Sequence, residues 1–209
     1  MSGRKDSGRQ DPERKTKEKG RLPVMSKVYA FLAPGLEEVE CLAVVDVLRR
    51  GGVKVVLVSV NGDPVIAGSH GIRIIPDALF DMCDFSDADC LFLPGGMPGT
   101  KNLAAHAGLA ALLTVKARAG MRVAAICAAP TVLGGLGLLD GRRATCYPGC
   151  EKDLGEAEFT GEGVVTDGNI TTARGLGFAL DLGVELISLL VSPEKAVAVK
   201  TAIQHPETI

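Results

Sequence analysis

The stretch Lys27–Val60, KVYAFLAPGLEEVECLAVVDVLRRGGVKVVLVSV, decides the fold class. Its first segment, KVYAFLA, is a short apolar run typical of a buried strand. A helix is predicted from about Glu37 to Arg50, where two glycines end it, and VKVVLVSV is predicted to be the next strand. Two buried strands joined by a helix form a βαβ unit, which is the building block of a parallel sheet.

The rest of the chain repeats this alternation. Further strands are predicted in DADCLFLPGG, MRVAAIC, GRRATCYPG and GVVTDGNITTARG, and PVIAGSHGIRIIPDA is predicted to be a short strand pair outside the main repeat. Further helices are predicted in TKNLAAHAGLAALLTVKARAG, in the segment that opens at AAPTVLGGL, in LGFALDLGVELISLLV and in SPEKAVAVKTAIQ. The last helix has Ser192 as its N-cap and Pro193 at its first position. This order predicts a doubly wound α/β domain, a class of fold that binds ligands at the carboxyl ends of its strands.

The composition fits one domain with an aliphatic core. The chain has 209 residues, of which 46% are hydrophobic and only 4% aromatic, with no Trp. A core of Val, Leu, Ile and Ala suits a mostly parallel sheet with helices on both faces. We therefore expect a single domain over residues 25–209.

Residues 1–24 form a basic tail. Residues 1–21 contain eight Lys and Arg against four Asp and Glu, and no aliphatic or aromatic residue follows Met1 in that range. We expect this tail to be disordered, because it has no apolar surface whose burial would offset the entropy of ordering. Without interleaved aromatics it predicts no nucleic-acid partner, and without an apolar central region it predicts no secretory signal.

The remaining features predict a cytoplasmic protein. The uncharged run Val123–Leu139 is too short and too rich in Pro and Gly to span a membrane. The six cysteines are then expected to be free thiols rather than disulfides. No phosphate loop, dinucleotide fingerprint or metal-binding cluster is present in the sequence, so we expect no cofactor and no metal.

Cys127 ends the predicted strand VAAIC, at the edge of the sheet where functional loops lie. Pro130 fits the first turn of the next helix, so the sulfur is expected to face a helix N-terminus, which would lower the pKa of the thiol. The small residues of AAICAAP permit the sharp turn of a nucleophile elbow. The alternative is that Cys127 is a small buried hydrophobe, and its position alone does not decide between the two.

Glu40 adds a carboxylate near the same edge. Placing residues at 100° intervals along the first helix puts Glu40 on the apolar stripe with Leu36, Val44 and Val47, and puts Glu38, Asp46, Arg49 and Arg50 on the opposite side. A carboxyl group on a buried face is expected to have a raised pKa and a polar partner. A protonated Glu40 could serve as a donor to the sulfur and later as a proton shuttle, or it could be only a structural hydrogen-bonding group.

The segment FLPGGMPG supplies the third element. Gly95 and Gly96 follow a predicted strand, so bare backbone can approach a substrate there. Together with the N–H of Ala128, their N–H groups are predicted to form an oxyanion hole for an adduct on sulfur. By itself a strand followed by PGG usually marks only a tight turn.

The segments FLAPGLEEVE, LFLPGGMPGTKNL, AAICAAP and TTARGLG resemble, in order and spacing, the ThiJ/PfpI superfamily. They are most similar to its branch that contains the parkinsonism-associated deglycase. The resemblance implies a flavodoxin-like fold of the class I glutamine amidotransferase type and a homodimer. It also implies an oxidation-prone nucleophile at Cys127, a protonated glutamate at Glu40, and Gly95 and Gly96 beside the cysteine.

Two departures from the family pattern concern the site itself. Tyr147 stands where the animal protein has a histidine near the cysteine, and Leu176 stands where a proline is common. Ala128 follows the nucleophile where peptidase-like members carry a histidine, which argues against peptidase chemistry. The sequence offers no evident route to the site for any of its three histidines, His70, His106 and His205.

The resemblance implies two functions. One is cofactor-free conversion of a small aldehyde substrate, methylglyoxal or glyoxal, to a 2-hydroxy acid, or repair of early glycation adducts. The other is a redox-sensing stress protein or chaperone in which Cys127 is oxidised. A third reading leaves Cys127 unreactive. Cys146 and Cys150 could pair with an oxidised Cys127, but ordinary thiols are the simpler reading.

Overall fold

The computed structural model describes residues 25–208. The predicted tail over residues 1–24 therefore lies outside the described residues. Residues 25–208 contain six α-helices: α1 Glu38–Arg50, α2 Gly99–Ala105, α3 Ala107–Arg118, α4 Pro130–Gly135, α5 Ala179–Leu190 and α6 Pro193–Ala202. The strands are β1 Lys27–Leu32, β2 Lys54–Ser59, β3 Ile66–Ala67, β4 Arg73–Ile74, β5 Ala78–Leu79, β6 Cys90–Leu93, β7 Arg122–Ile126, β8 Arg143–Ala144, β9 Glu158–Phe159, β10 Val164–Asp167 and β11 Ile170–Ala173.

Seven strands form one sheet in the order β10-β11-β7-β6-β1-β2-β5. The β10–β11 pair is antiparallel, and the other neighbours run parallel. Within this sheet β1 pairs with β2 on one side and with β6 on the other, as the doubly wound prediction requires. The predicted fold class is therefore confirmed.

Two apolar cores lie on opposite faces of the sheet. One joins the sheet to α1, α5 and α6, and the other joins it to α3 and α4. A Cβ at Gly183 of α5 would lie 2.7 Å from Cγ1 of Val47, so this glycine lets α1 and α5 approach closely. The small side chains that the sequence favours thus allow tight helix packing on the face that carries Glu40.

One predicted helix is wrong in detail. The segment predicted as a single helix from Thr100 onward is two helices, α2 and α3, separated at His106. His106 has an extended backbone, and its Nδ1 accepts a 2.9 Å hydrogen bond from the N–H of Leu109, so the imidazole caps α3. The segment GRRATCYPG contains only the two-residue strand β8, which pairs with β9 outside the main sheet.

Several local predictions are confirmed. Helix α1 spans Glu38–Arg50, within one residue of the predicted start. The Ser192 side chain accepts from the N–H of Lys195 at 3.2 Å, and Pro193 opens α6. Among residues 25–208, no helix is long and apolar enough to cross a bilayer.

Candidate functional site

Cys127 lies on a strained turn directly after β7. Its φ of 65° is in the left-handed region, which residues other than glycine rarely adopt. Its N–H donates to the carbonyl of Ala173 at 2.9 Å, and its carbonyl accepts from the N–H of Tyr147 at 2.7 Å. Backbone contacts on both sides therefore hold the strained conformation, which is the geometry predicted for a nucleophile elbow.

Two backbone N–H groups face the sulfur. The N–H of Ala128, at the start of the turn into α4, and the N–H of Gly96 both favour the thiolate form of Cys127. Both residues were predicted to form an oxyanion hole with Gly95. In this structure their N–H groups are directed at sulfur, where they would stabilise negative charge on the thiolate or on an adjacent adduct oxygen.

Gly95 has a different partner from the one predicted. Its N–H donates to Oε2 of Glu40 at 3.2 Å, so it is not free to act in an oxyanion hole. A Cβ at Gly95 would lie 2.5 Å from Oε2 of Glu40 and 2.6 Å from Cβ of Cys127. The bare backbone of Gly95 is thus the spacer that lets Glu40 and Cys127 come together.

Glu40 is 1% exposed, as its position on the apolar stripe predicted. Burial raises the pKa of its carboxyl group to about 7, and the nearby charge of Glu37 adds to this effect. Hydrogen bonds with Cys127 and from the N–H groups of Gly95 and Leu176 act in the opposite direction on this pKa. The predicted raised pKa and polar partners of Glu40 are both present.

The predicted low pKa of Cys127 is corrected by the structure. Burial, together with the charge of Glu40 and the hydrogen bond to it, raises the pKa of the thiol to about 12, against the effect of the Ala128 and Gly96 N–H groups. Helix α4 has only six residues, so its dipole lowers the pKa of the Cys127 thiol only weakly. Because an ionised Glu40 opposes ionisation of the thiol, the thiolate forms more readily when the proton is on Glu40, and the two groups titrate as a coupled pair.

The structure corrects the solvent-facing side of α1 that helical periodicity predicts. Glu38, predicted on the solvent side of α1, is 1% exposed and accepts the N–H groups of His70 at 2.8 Å and Ile72 at 3.1 Å. The Glu37 side chain caps α1 by accepting the N–H of Glu40 at 2.6 Å. The strand pair β3–β4 therefore packs on a helix face that periodicity alone assigned to solvent.

The three histidines do not contact Cys127. Nδ1 of His70 lies 3.2 Å from Glu38 and 3.7 Å from Glu37, and these three side chains are close enough to hold a metal ion. The sequence did not reveal this group, because its members are far apart along the chain. Both carboxylates already accept backbone N–H groups, which accounts for their arrangement without an ion. Nε2 of His205 lies 3.1 Å from Asp181, and His106 caps α3.

Tyr147 and Leu176 lie beside the pair. The N–H of Tyr147 bonds the carbonyl of Cys127, and its ring lies 3.5 Å from the position that a Cβ on Gly175 would take. The backbone N–H of Leu176 lowers the pKa of Glu40, an effect that the sequence does not reveal although Leu176 departs from the family pattern. Within residues 25–208 all six cysteines are free thiols, with Cys146 buried and Cys150 partly buried. Pairing of either with Cys127 stays a prediction.

The fold and the site together define a class of protein: a flavodoxin-like α/β domain with a cysteine on a strained elbow and a glutamate from the first helix as its partner. The model of the DJ-1/PfpI family matches residues 26–189 of this chain. The chain belongs to that family.

Known relatives cover most of the described domain. Protein DJ-1 homolog B of Arabidopsis thaliana is 38% identical over 83% of this chain, but this chain spans only 40% of that protein's length. Protein dj-1beta of Drosophila melanogaster is 36% identical over 82% of this chain and 93% of its own length. Glutathione-independent glyoxalase DJR-1.2 of Caenorhabditis elegans is 32% identical over 76% of this chain and 85% of its own length. The structure of oxidized DJ-1 from Toxoplasma gondii superposes with a TM-score of 0.82 and 32% identity, covering 86% of this chain and 98% of that one.

Proposed function

We propose that this protein is a cofactor-independent enzyme that uses Cys127 to convert small 2-oxoaldehydes into 2-hydroxy acids. The observation that carries the proposal is the pairing of Cys127, on a strained elbow, with a buried carboxyl group whose pKa is raised to about 7. Such a group can hold and release a proton near neutral pH. The relative named as a glutathione-independent glyoxalase supports the same reaction class.

In the proposed reaction, the Cys127 thiolate attacks the aldehyde carbon of the substrate. The new oxyanion takes the proton of Glu40 and becomes the hydroxyl of a hemithioacetal. The Glu40 carboxylate then removes the hydrogen from that carbon as a proton and returns it to the neighbouring carbon, while the hydroxyl proton passes to the oxygen of the neighbouring carbon, which leaves a thioester of a 2-hydroxy acid. Water hydrolyses the thioester, releases the acid and restores the thiol.

The roles of the neighbouring groups follow from their contacts. The N–H groups of Ala128 and Gly96 face sulfur and would stabilise oxyanion character next to it. Gly95 and Leu176 orient the Glu40 carboxyl through their N–H groups. We assign Gly95 a positioning role in place of the oxyanion role predicted from the sequence.

The test is lactate formation from methylglyoxal by wild type, Cys127→Ser and Cys150→Ser. We expect Cys127→Ser to lose activity and Cys150→Ser, which changes a partly buried thiol outside the pair, to retain it. Unchanged activity in Cys127→Ser would overturn the proposal. The same comparison with a glycated model peptide decides whether early glycation adducts are also substrates.

Redox sensing is the second candidate function. A sulfinate at Cys127 would accept the same N–H groups and a hydrogen bond from protonated Glu40. The three histidines have other partners, since His70 contacts Glu38, His106 contacts Leu109 and His205 contacts Asp181. Mild peroxide should then add two oxygen atoms to the peptide that contains Cys127. No mass gain at that peptide would count against this function.

The domain and assembly predictions remain proposals. We propose that residues 25–209 act as one domain and that the protein is a homodimer, for which the exposed Val39 and Leu42 on α1 provide apolar surface. Sedimentation velocity of the full chain and of a Leu42→Glu variant tests the dimer. A monomeric wild type would contradict it.

A further inference from the structure

Tyr147 and Leu176 place half-exposed apolar side chains directly beside the reacting groups. Tyr147 is 53% exposed and Leu176 is 49% exposed. Tyr147 is fixed to the nucleophile, because its N–H donates to the carbonyl of Cys127 at 2.7 Å. Leu176 lies near the acid, because its backbone N–H lowers the pKa of the Glu40 carboxyl group.

The two residues lie on adjoining parts of the chain in space. The ring of Tyr147 is in van der Waals range of Gly175, the residue before Leu176, since a Cβ placed there would lie 3.5 Å from Cδ2 of Tyr147. Gly175 follows Ala173 by two residues, and the carbonyl of Ala173 accepts the N–H of Cys127. Tyr147 and Leu176 are therefore neighbours beside the Cys127–Glu40 pair, and we call their two half-exposed side chains the apolar rim.

From this geometry we infer that Tyr147 and Leu176 determine specificity and favour 2-oxoaldehydes that carry an aryl or larger alkyl group over methylglyoxal and glyoxal. The inference rests on the proposed function. In that reaction the aldehyde carbon is bonded to sulfur, and Glu40 acts on this carbon and its neighbour. The substituent on the neighbouring carbon therefore extends outward past the rim.

The size of the substituent decides how much rim it covers. A phenyl group can pack on the tyrosine ring and on the leucine side chain, and thereby removes apolar surface from water on both sides. A methyl group covers little of either side chain, and glyoxal has no substituent to do so. The rim thus selects substrates by the size of their apolar substituent. The reaction at Cys127 and Glu40 is the same for all of them.

The first test uses alkylation, which does not depend on turnover. Rate constants for labelling of Cys127 by N-phenylmaleimide and N-methylmaleimide are measured by peptide mass spectrometry. We expect the phenyl-to-methyl rate ratio to fall roughly tenfold in Tyr147→Ser and roughly threefold in Leu176→Ala, because each variant removes one apolar contact. Tyr147→Phe keeps the ring and should keep the ratio, and Val197→Ala, which shortens an exposed apolar side chain of α6, is the control.

The second test compares kcat/KM for phenylglyoxal and methylglyoxal in the same variants. The ratio should change in parallel with the alkylation ratio. Alkylation ratios in Tyr147→Ser and Leu176→Ala that equal the wild-type ratio would overturn the inference. A third outcome separates the two claims. If the phenyl-to-methyl alkylation ratio depends on Tyr147 but the protein turns over neither phenylglyoxal nor methylglyoxal, the proposed function is overturned and the role of the rim in selecting aryl groups still holds.

Discussion

The N–H of Gly95 donates a 3.2 Å hydrogen bond to Oε2 of Glu40, which ties the loop after β6 to the first turn of α1. The same glycine separates Glu40 from Cys127, since any Cβ at this position would overlap both. The contact between nucleophile and acid therefore depends on a residue that has no side chain.

We predict that Gly95→Ala separates the pair. Its Cβ would lie 2.5 Å from Oε2 of Glu40, so the carboxyl group or the loop must move. The free energy of unfolding should fall by about 1–3 kcal/mol, and Cys127 labelling at neutral pH should rise, because the carboxylate that opposes the thiolate moves away from sulfur. Gly135→Ala, where an added Cβ meets only open space, is the matched control. Wild-type stability and labelling in Gly95→Ala would show that the spacing is not needed.

The strain at Cys127 predicts an unusual order of stability. At most positions glycine is less stable than alanine by about 0.5–1 kcal/mol, but a left-handed conformation costs a residue with a Cβ about 1–2 kcal/mol. Cys127, with φ of 65°, is in that conformation. Cys127→Gly should therefore be more stable than Cys127→Ala by up to about 1 kcal/mol in denaturant unfolding. The reverse order would mean that the turn relaxes without strain.

Glu38 should stabilise the strand pair β3–β4 on α1. Burial opposes ionisation of this carboxyl group, but hydrogen bonds from backbone N–H groups outweigh it and lower its pKa. Its contribution is therefore present above the unfolded pKa of about 4.5 and is lost as the pH falls through the lower folded value. Glu38→Gln should cost about 1.5–3 kcal/mol at neutral pH and should flatten the acid limb of the stability profile. An acid limb as steep as in wild type would contradict this assignment.

Glu40 should act on stability in the opposite direction. Its folded pKa of about 7 lies above the unfolded value of about 4.5, so its contribution is fully present below pH 4.5 and is lost as the pH rises toward 7. This shift corresponds to about 3 kcal/mol. Chemical denaturation from pH 4.5 to 8 should show this loss in wild type and a flatter profile in Glu40→Gln. Parallel profiles would show that the carboxyl group ionises in the fold as it does in the unfolded chain.

The fold was predictable because its signals are local. The buried strand at Lys27–Leu32, the glycines after Arg50 and the small residues after Cys127 each determine their own segment, and parallel strands then bring their carboxyl ends together. This reasoning also brought Glu40 and Cys127 to the same edge of the sheet.

The errors came from contacts between segments distant in sequence. Helical periodicity could not reveal that β3–β4 covers Glu38, because this contact joins residues more than thirty positions apart. The pKa of Cys127 was misjudged for a similar reason, since burial and the charge of Glu40 outweigh the short helix α4. The break at His106 was missed because an imidazole cap does not follow the usual preference for Ser, Thr, Asp or Asn.

The most direct test of the central claim, that Cys127 and Glu40 share one proton, is the pH dependence of iodoacetamide labelling at Cys127 in wild type, Glu40→Gln and Glu40→Leu. In wild type the charge of Glu40 opposes the thiolate, so we predict labelling that rises only above the pH range of an unperturbed thiol. Both variants remove this charge, so the apparent pKa of Cys127 should fall by about one to two units. The fall should be larger in Glu40→Gln, which keeps a donor to sulfur, than in Glu40→Leu. An unchanged pKa of Cys127 in both variants would contradict the claim, because Glu40 would then not act on the thiol.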